Sequence, residues 1–559
     1  MKTQLVDIIS HFVFRSFLSF KHSREYKVLL KAADNPKDTQ YQALIRILQK
    51  NAKTNFGNQY KFASIDSFDA YAKEVPIQDY EDLRELIEKQ EHQRTPCLTA
   101  DQPVYYQRTS GTTNAPKHIP MTAEGMNKIR SYQGLAAYRQ SKTANVFKGK
   151  IFGVTGQAVE GKMQGGTPFG AASGLIYKQQ SRFVRSRYVL PPIISTIEDY
   201  ETRYLVMAIL GAAEGNVTGV STANPSTLIK IIEVLNRNID VVLESILNGK
   251  LHHNIATEKE ITDIVNLSLY PAKRRVQKLE KALARDGQLS YKHIWPQLAG
   301  IVTWTGGSCQ IPLASLKKLV PHQTKIIELG YVASEFRGTI NIGKSENLCL
   351  PTFVDNYFEF VERVAWEDDK LHFLRLDQLK ENQEYYIFVT TPDGLYRYDI
   401  NDIVRVNGWI RNTPAFEFVR KGKGVTNITG EKIHEDQVIS AVLSASEKHG
   451  VTSTFFVMLA DPEKATYRLF IELEDGYGMD LAKLSSDFDL HLRALNIEYD
   501  EKCKSGRLTS VVLDRLKVGT ADEYREKLVA DGQRDAQFKI QCLQYAGDCA
   551  FDFAACTIR

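Results

Sequence analysis

Residues 107–120 read QRTSGTTNAPKHIP, from Gln107 to Pro120. They follow a β-like run, Val104 to Tyr106, and surround Gly111 with hydroxyl side chains before reaching a single lysine, Lys117. Small hydroxyl residues around a glycine offer backbone N–H groups and side-chain donors to phosphate oxygens, and the lysine adds a point charge. This is phosphate-loop chemistry. It is not a Walker A loop, because GxxxxGK[ST] needs Gly just before the lysine and Ser or Thr just after, where Pro116 and His118 stand.

Outward from this loop the chain is patterned in blocks. The first 100 residues carry apolar positions at helical spacing, such as Leu44, Ile47 and Leu48, and end in a connector at Val75-Pro76. From about residue 148 to 420, β-rich runs alternate with helical ones. The runs are Lys150 to Thr155, Ala299 to Thr305, Lys325 to Leu329, Tyr357 to Glu362, Tyr385 to Thr391 and Ile403 to Val406, and the helices include Pro225 to Leu247 and Pro271 to Ala284. This alternation predicts an α/β body with covered sheets. Lys421-Gly422-Lys423-Gly424 reads as a linker. Beyond it, strands at Ser453 to Leu459 and Tyr467 to Glu474 precede a helix with Leu481, Leu484, Phe488, Leu492 and Leu495 on one face. A strand at Leu508 to Leu516 and a helix from Ala521 complete a ββαβα order. The expected division is a body at 1–419, a hinge at 420–424 and a small mobile α+β lid domain at 425–559.

The 559 residues are ample for a multidomain core, and 43% hydrophobic with 25% charged residues is a soluble, folded composition. The net charge of +4 is too small for a dedicated nucleic-acid surface. It conceals an asymmetry: residues 424–559 hold 16 basic against 23 acidic side chains, leaving 55 against 44 upstream. A basic body suits anionic ligands. Seven cysteines without a CxxC pair form neither a disulfide framework nor a zinc module. Ile8 to Phe20 is broken by His11 and Arg15 and too short to span a bilayer, so it reads as an amphipathic surface helix of a cytoplasmic protein. Monomer is the default expectation.

The run TSGTTxxPK resembles the phosphate loop of the adenylate-forming, acyl-activating enzymes, and three further stretches resemble their other elements in the same order. These are Trp304-Thr305-Gly306-Gly307-Ser308, then Tyr331-Val332-Ala333-Ser334-Glu335, then Gly394 through Asp402, GLYRYDIND. Within that superfamily, WTGGS, YVASE, GLYRYxxxD, the Phe416–Arg420 run FEFVR and the Thr429–Glu435 run TGEKIHE resemble the Gretchen Hagen three family of acyl acid amido synthetases. So does the ending Ala536-Gln537-Phe538-Lys539. The style of the N-terminal half points to a bacterial member. The resemblance implies that a carboxylic acid attacks the ATP α-phosphate to give an acyl-adenylate and pyrophosphate, and that an amino acid or related amine then displaces AMP to form an amide. It implies Ser110, Gly111, Thr112, Thr113 and Lys117 on phosphate oxygens, with Gly306 and Gly307 in the nucleotide site. Tyr331 would lie against adenine, Ser334 on the α-phosphate, Asp402 on the ribose hydroxyls and Arg420 at the hinge beside the nucleotide. Glu335 would ligate Mg²⁺. Lys432 would meet the acceptor's carboxylate, and Lys539 would be the mobile lysine brought to the phosphates.

Two positions depart from the family pattern. Asn401 and Phe336 stand where glycine is usual; Asn tolerates positive φ and preserves a turn, whereas Phe336 narrows or reshapes the site. Two other readings stay open: a thiol acceptor such as coenzyme A, and a nucleotide-binding protein without catalysis. His252-His253 reads as a surface pair on a helix, and Lys273 to Lys281 as a packed basic helix with Val276, Leu279 and Leu283 on one side.

Overall fold

The computed structural model describes residues 2–109, 117–178, 180–342, 347–367, 370–422, 424–426, 428, 431–474, 479–504, 508–530 and 540–558. They fall into two compact units. The first comprises Met1–Trp304, Leu319–Ile400 and Val404–Glu417; the second comprises Thr305–Lys318, Asn401–Ile403 and Phe418–Arg559.

The first unit opens with helices at Lys2–Ala32, Pro36–Asn51, Asn55–Gln59, Phe68–Glu74 and Tyr80–Gln93, as the periodicity predicts. Polar side chains fix their starts: Asn35, Thr54, Ser67 and Asp79 each accept from a first-turn amide, and Asp82 returns the bond to Asp79. In the first helix Phe14 and Leu18 pack on Val146, Phe147, Ile151, Val302 and Ile327, while Phe20 is 91% exposed. That segment is helical as expected, but Val13 and Phe17 are exposed along with Phe20, so its apolar residues are not gathered on one buried face.

A parallel sheet of Lys150–Gly153, Val217–Ser221, Gly300–Thr303 and Lys325–Glu328 forms the body. Val217–Ser221 escapes sequence reading because Gly219 interrupts it; a Cβ there would sit 2.5 Å from the Val146 carbonyl oxygen. The single helix expected over Pro225 to Leu247 is two, Ser226–Arg237 and Ile239–Asn248, divided at Asn238, whose side-chain amide donates to the Val234 carbonyl. His252 and His253 lie in the loop that follows, not on a helix; their rings are 4.1 Å apart and His252 Nε2 is 3.3 Å from Glu244. The basic helix spans Lys273–Asp286, burying Val276 and Leu279, and Arg275 donates to the Ala212 and Ile294 carbonyls.

A second sheet runs Leu374–Arg375, Tyr357–Glu362, Glu384–Thr390, Tyr398–Ile410, Thr413–Lys421. Its fourth strand is 13 residues long, not the four expected, because the buried Asp402 hides the apolar alternation. Just before this strand Arg397, at φ 41°, is buried with Glu359: Nε donates to the carboxylate at 2.9 Å, and Nη1 donates to the Ala72 and Val75 carbonyls at 2.9 Å each. The Phe373 ring lies 4.5 Å from the guanidinium. The Arg397 amide donates to Thr390 Oγ1, which also bonds the Tyr71 hydroxyl.

In the second unit the sheet order is Val512–Arg515, Thr466–Leu473, Ser453–Asp461, Leu543–Tyr545, the central pair antiparallel and both outer pairings parallel. Helices Glu435–Lys448 and Leu481–Leu495 cover one face through Val438, Val442, Leu484, Phe488 and Leu492; Phe455, Phe470, Tyr524 and Phe553 build the other. The expected ββαβα order is corrected by five additions: the short paired strands Val425–Thr426 and Ile433–His434, the leading helix Glu435–Lys448, the helix Ile497–Lys504 and the closing strand Leu543–Tyr545. The strand expected over Leu508 to Leu516 shortens to Val512–Arg515, and Leu495 is exposed.

Removing one partner of a buried ion pair strands the other charge, at a cost of about 3–5 kcal/mol. Arg397→Met is therefore expected to lower unfolding free energy by about that amount in urea titration, and adding Glu359→Leu to recover much of it. Unaltered stability of the single variant would contradict the role given to the pair.

Candidate active site

The antiparallel hairpin Pro103–Thr109 and Lys117–Thr122 pairs Thr109 with Lys117, so the ends of the quoted stretch are held together. Ser110, Gly111, Thr112 and Thr113 lie outside the described residues. Lys117 stands 5.6 Å from the ring centre of Tyr80, the first residue of its helix, and the Tyr80 hydroxyl accepts from the His118 amide at 2.8 Å. Burial raises the Tyr80 hydroxyl above its ordinary value.

After the strand Lys325–Glu328, residues 331–339 form a tight loop. Tyr331 donates its amide to Thr339 Oγ1 at 2.8 Å and accepts from the Gly338 and Thr339 amides, while Val332 bridges Arg337. Tyr331 is buried with Phe336 set edge-on at 5.4 Å, and Phe336 also meets Phe358. Ser334 and Glu335 remain partly exposed on this loop. The buried Tyr398 hydroxyl is pushed far up by desolvation, and the charges of Glu335 and Asp79 and the Tyr80 hydroxyl act on it too. The charge of Glu335 and the Tyr80 hydroxyl, whose ring centre lies 5.6 Å from the Lys117 ammonium, thus both act on this buried tyrosine.

Glu335, Phe336 and Arg337 also line a cleft in the first unit with Lys128, Tyr132, Asp355 and Asp393. Each of the two aspartates has donors. Asp355 accepts from the Tyr132 hydroxyl at 2.5 Å and pairs with Lys128 at 2.9 Å; Asp393 Oδ1 accepts the amide and hydroxyl of Thr122 at 2.8 and 2.7 Å. Burial raises Asp393 to about 6, with the Thr122 bonds opposing. The backbone of Gly125 comes so close that a Cβ would lie 2.0 Å from Asp393 Oδ2. Sequence reading missed these residues; the one usable signal is the turn Pro392-Asp393-Gly394, whose glycine has φ 99°.

The remaining residues singled out in the sequence belong to the second unit. Gly306 and Gly307 are backbone-contact positions: a Cβ on Gly306 would lie 2.7 Å from the Phe418 carbonyl oxygen, and Gly307 has φ 58°. Asn401 has the positive φ expected of it, 54°, but inside the strand Tyr398–Ile410 rather than at a turn, and its carbonyl accepts from the Gly422 amide. Asp402 and Arg420 are buried, and Arg420 Nε lies 3.0 Å from Asp436 Oδ1 at the start of the helix Glu435–Lys448. Lys432, at φ 41°, is braced by Asn496, whose amide donates to the Glu431 and Lys432 carbonyls; Glu431 is held by the Tyr467 hydroxyl and the Ile428 amide. Lys539 lies outside the described residues. On its C-terminal side the Cys542 amide donates to Glu435.

Three domains of one family match in order: the GH3 family N-terminal domain at 25–325, its central domain at 349–421 and its C-terminal domain at 436–546. The chain belongs to the GH3 family. GH3 relatives include the indole-3-acetic acid-amido synthetase GH3.15 of Arabidopsis thaliana, 25% identical over 544 residues and covering 90% of each chain. The 4-substituted benzoates-glutamate ligase GH3.12 of the same plant is 25% identical over 560 residues, covering 93% of this chain and 95% of its own. Among solved structures, the GH3.15 acyl acid amido synthetase in complex with 2,4-DB superposes with a TM-score of 0.83 at 21% identity, over 95% of this chain and 96% of that one. A 2-hydroxyisobutyryl-CoA ligase shares the fold at a TM-score of 0.52 and 11% identity, over 88% and 91%. The adenylate-forming fold is therefore established, while these plant relatives lend no support to a bacterial source. Among the described residues no helix is long and apolar enough to cross a membrane.

Asp393 supplies a pH signature. The folded state holds its proton more tightly than the unfolded chain, so the stabilisation is fully present below its ordinary value near 3.8 and is lost as pH rises through about 6. Asp393→Asn, which stays neutral, is expected to gain on the wild type by up to roughly 3 kcal/mol between pH 4 and 7 in urea titrations. A difference that stays flat with pH would refute the assignment.

Proposed function

We propose that this GH3 protein joins a carboxylic acid to an amino acid or related amine at the expense of ATP. The acid's carboxylate oxygen attacks the α-phosphorus and pyrophosphate leaves; the neutral amine then attacks the acyl carbonyl, the amide bond forms, and AMP leaves. The reading rests on one observation above all: in a chain matched by GH3 domains over 25–325, 349–421 and 436–546, Glu335 lines a cleft in the unit that holds the Lys117 hairpin. The glutamate in the benzoates-glutamate ligase's name favours an amino acid acceptor.

Phosphoryl transfer is mainly positioning and charge stabilisation, which fits the residues assigned to it. Ser110, Gly111, Thr112, Thr113 and Lys117 take phosphate oxygens, with Gly306 and Gly307 as part of the nucleotide site. Tyr331 and Ser334 serve the adenosine and α-phosphate, Asp402 the ribose and Arg420 the chain beside it. Lys432, braced by Asn496, takes the acceptor's carboxylate. Among the described residues no three His, Cys, Asp or Glu side chains cluster as a metal cage. A lone Glu335 suits Mg²⁺, which dehydrates reluctantly and is completed by phosphate oxygens and water. When bound, Mg²⁺ supplies charge neutralisation at the phosphates. The cysteines are free thiols, in keeping with a cytoplasmic protein.

Pyrophosphate exchange checks the first half-reaction. Glu335→Gln is expected to abolish it, since a neutral amide is a poor ligand for a hard dication; exchange at the wild-type rate would remove Glu335 from the site. Lys539→Ala is expected to slow exchange by one or more orders of magnitude with ATP binding nearly unchanged, the mark of a charge used in the transition state. A full rate in that variant would leave Lys539 no part in activation.

A further inference from the structure

Among the described residues, the cleft in the first unit contains one cation without an anionic partner. Lys128 is paired with Asp355, Asp355 also takes the Tyr132 hydroxyl, and Asp393 is served by Thr122. Arg337 is different. It lines the cleft, is 93% buried by its 7% exposure, and among the described residues its side chain makes one hydrogen bond, a long 3.3 Å contact from Nη2 to the Leu329 carbonyl. Among the described residues its Nε has no partner and its guanidinium forms no ion pair with a carboxylate. Burial lowers it to about 10, with the Cys349 thiol and Tyr132 hydroxyl opposing.

A guanidinium carries five N–H donors in a fork that matches a carboxylate, and burying it without an anion costs several kcal/mol, on the order of the desolvation penalty of a buried ion. The rest of the lining is equally ill-suited to a hydrocarbon: Gln107, Asn356 and Thr391 face the same space as Phe336, Met121 and Ile129. A purely apolar acid would leave these polar groups unpaired.

We propose that Arg337 is a specificity-determining residue, and that the acid this cleft admits carries a second anionic group, a carboxylate in its simplest form, in addition to the carboxyl that is activated. The inference rests on the proposed adenylation. The reacting carboxylate is not the natural partner, because its own charge is lost when the acyl-phosphate bond forms, and the charge that remains in the intermediate sits on the phosphate, which the reading above gives to Ser334 and Lys117. A second carboxylate keeps its charge through both steps, so the pair survives the whole reaction.

The test is pyrophosphate release by the full-length protein with ATP and Mg²⁺, using size-matched pairs such as butanoate with succinate and benzoate with isophthalate. The wild type is expected to favour the diacid at least tenfold in kcat/KM for one pair or more. In Arg337→Met that ratio is expected to fall at least tenfold, and in Arg337→Lys to fall less. Because the ratio compares two acids on one protein, a general loss of folded or active enzyme cancels. A wild type that prefers the monoacid in every pair overturns the inference without recourse to a variant, as does a ratio unmoved by Arg337→Met, while adenylation itself stands. If no acid releases pyrophosphate, the proposed function falls and takes the inference with it.

Discussion

The ion pair of Arg397 with Glu359 holds the first unit's chemistry in place. One guanidinium ties the end of the helix Phe68–Glu74 to the middle of a sheet, through two carbonyls and a buried carboxylate. From that fixed point the chain runs in two directions. Residues 75–80 pass along the strand that starts at Tyr398, where Gln78 exchanges backbone bonds with Arg397 and Asp399, and deliver Tyr80 to the His118 amide beside Lys117. The strand itself carries Tyr398 to the neighbourhood of Glu335. A buried pair contributes little net stability, but it is costly to misplace, so it fixes register more than it adds free energy.

This gives the GLYRYxxxD stretch a division of labour. Arg397 bonds Glu359, Ala72 and Val75 through Nε and Nη1 and is an architectural residue. Asn401 takes a positive φ of 54° within the strand, and Asn401 and Asp402 belong to the second unit. A similar economy holds in WTGGS: its glycines are required by the approach of the Phe418 and Val419 carbonyls, so their presence is explained by backbone packing before any ligand is considered.

Much of the fold was legible in the sequence because its signals are local. Helix starts carry capping side chains, three of the four parallel strands are apolar runs, and the asparagine at 401 announces the positive φ it adopts. The strand Val217–Ser221 was not legible, since its glycine is explained only by the distant Val146 carbonyl. The cleft was legible only along one edge. Glu335 stands in a motif, but Tyr132, Arg337, Asp355 and Asp393 come from four separate segments whose meeting depends on tertiary packing, and none has a local pattern of its own. The same holds for Asn496, which braces Lys432 from 64 residues away.

The central claim is a two-step ligation with an amine as the second nucleophile. Its most direct measurement is a single-turnover experiment: the full-length protein is mixed with ATP, Mg²⁺ and a panel of acids, acyl-AMP is isolated on the protein, and amino acids or coenzyme A are then added separately. Amido synthesis predicts that AMP is released, and an amide of matching mass appears, only with an amino acid. AMP release driven by the thiol alone, or failure of any acid to yield an acyl-adenylate, would contradict the account.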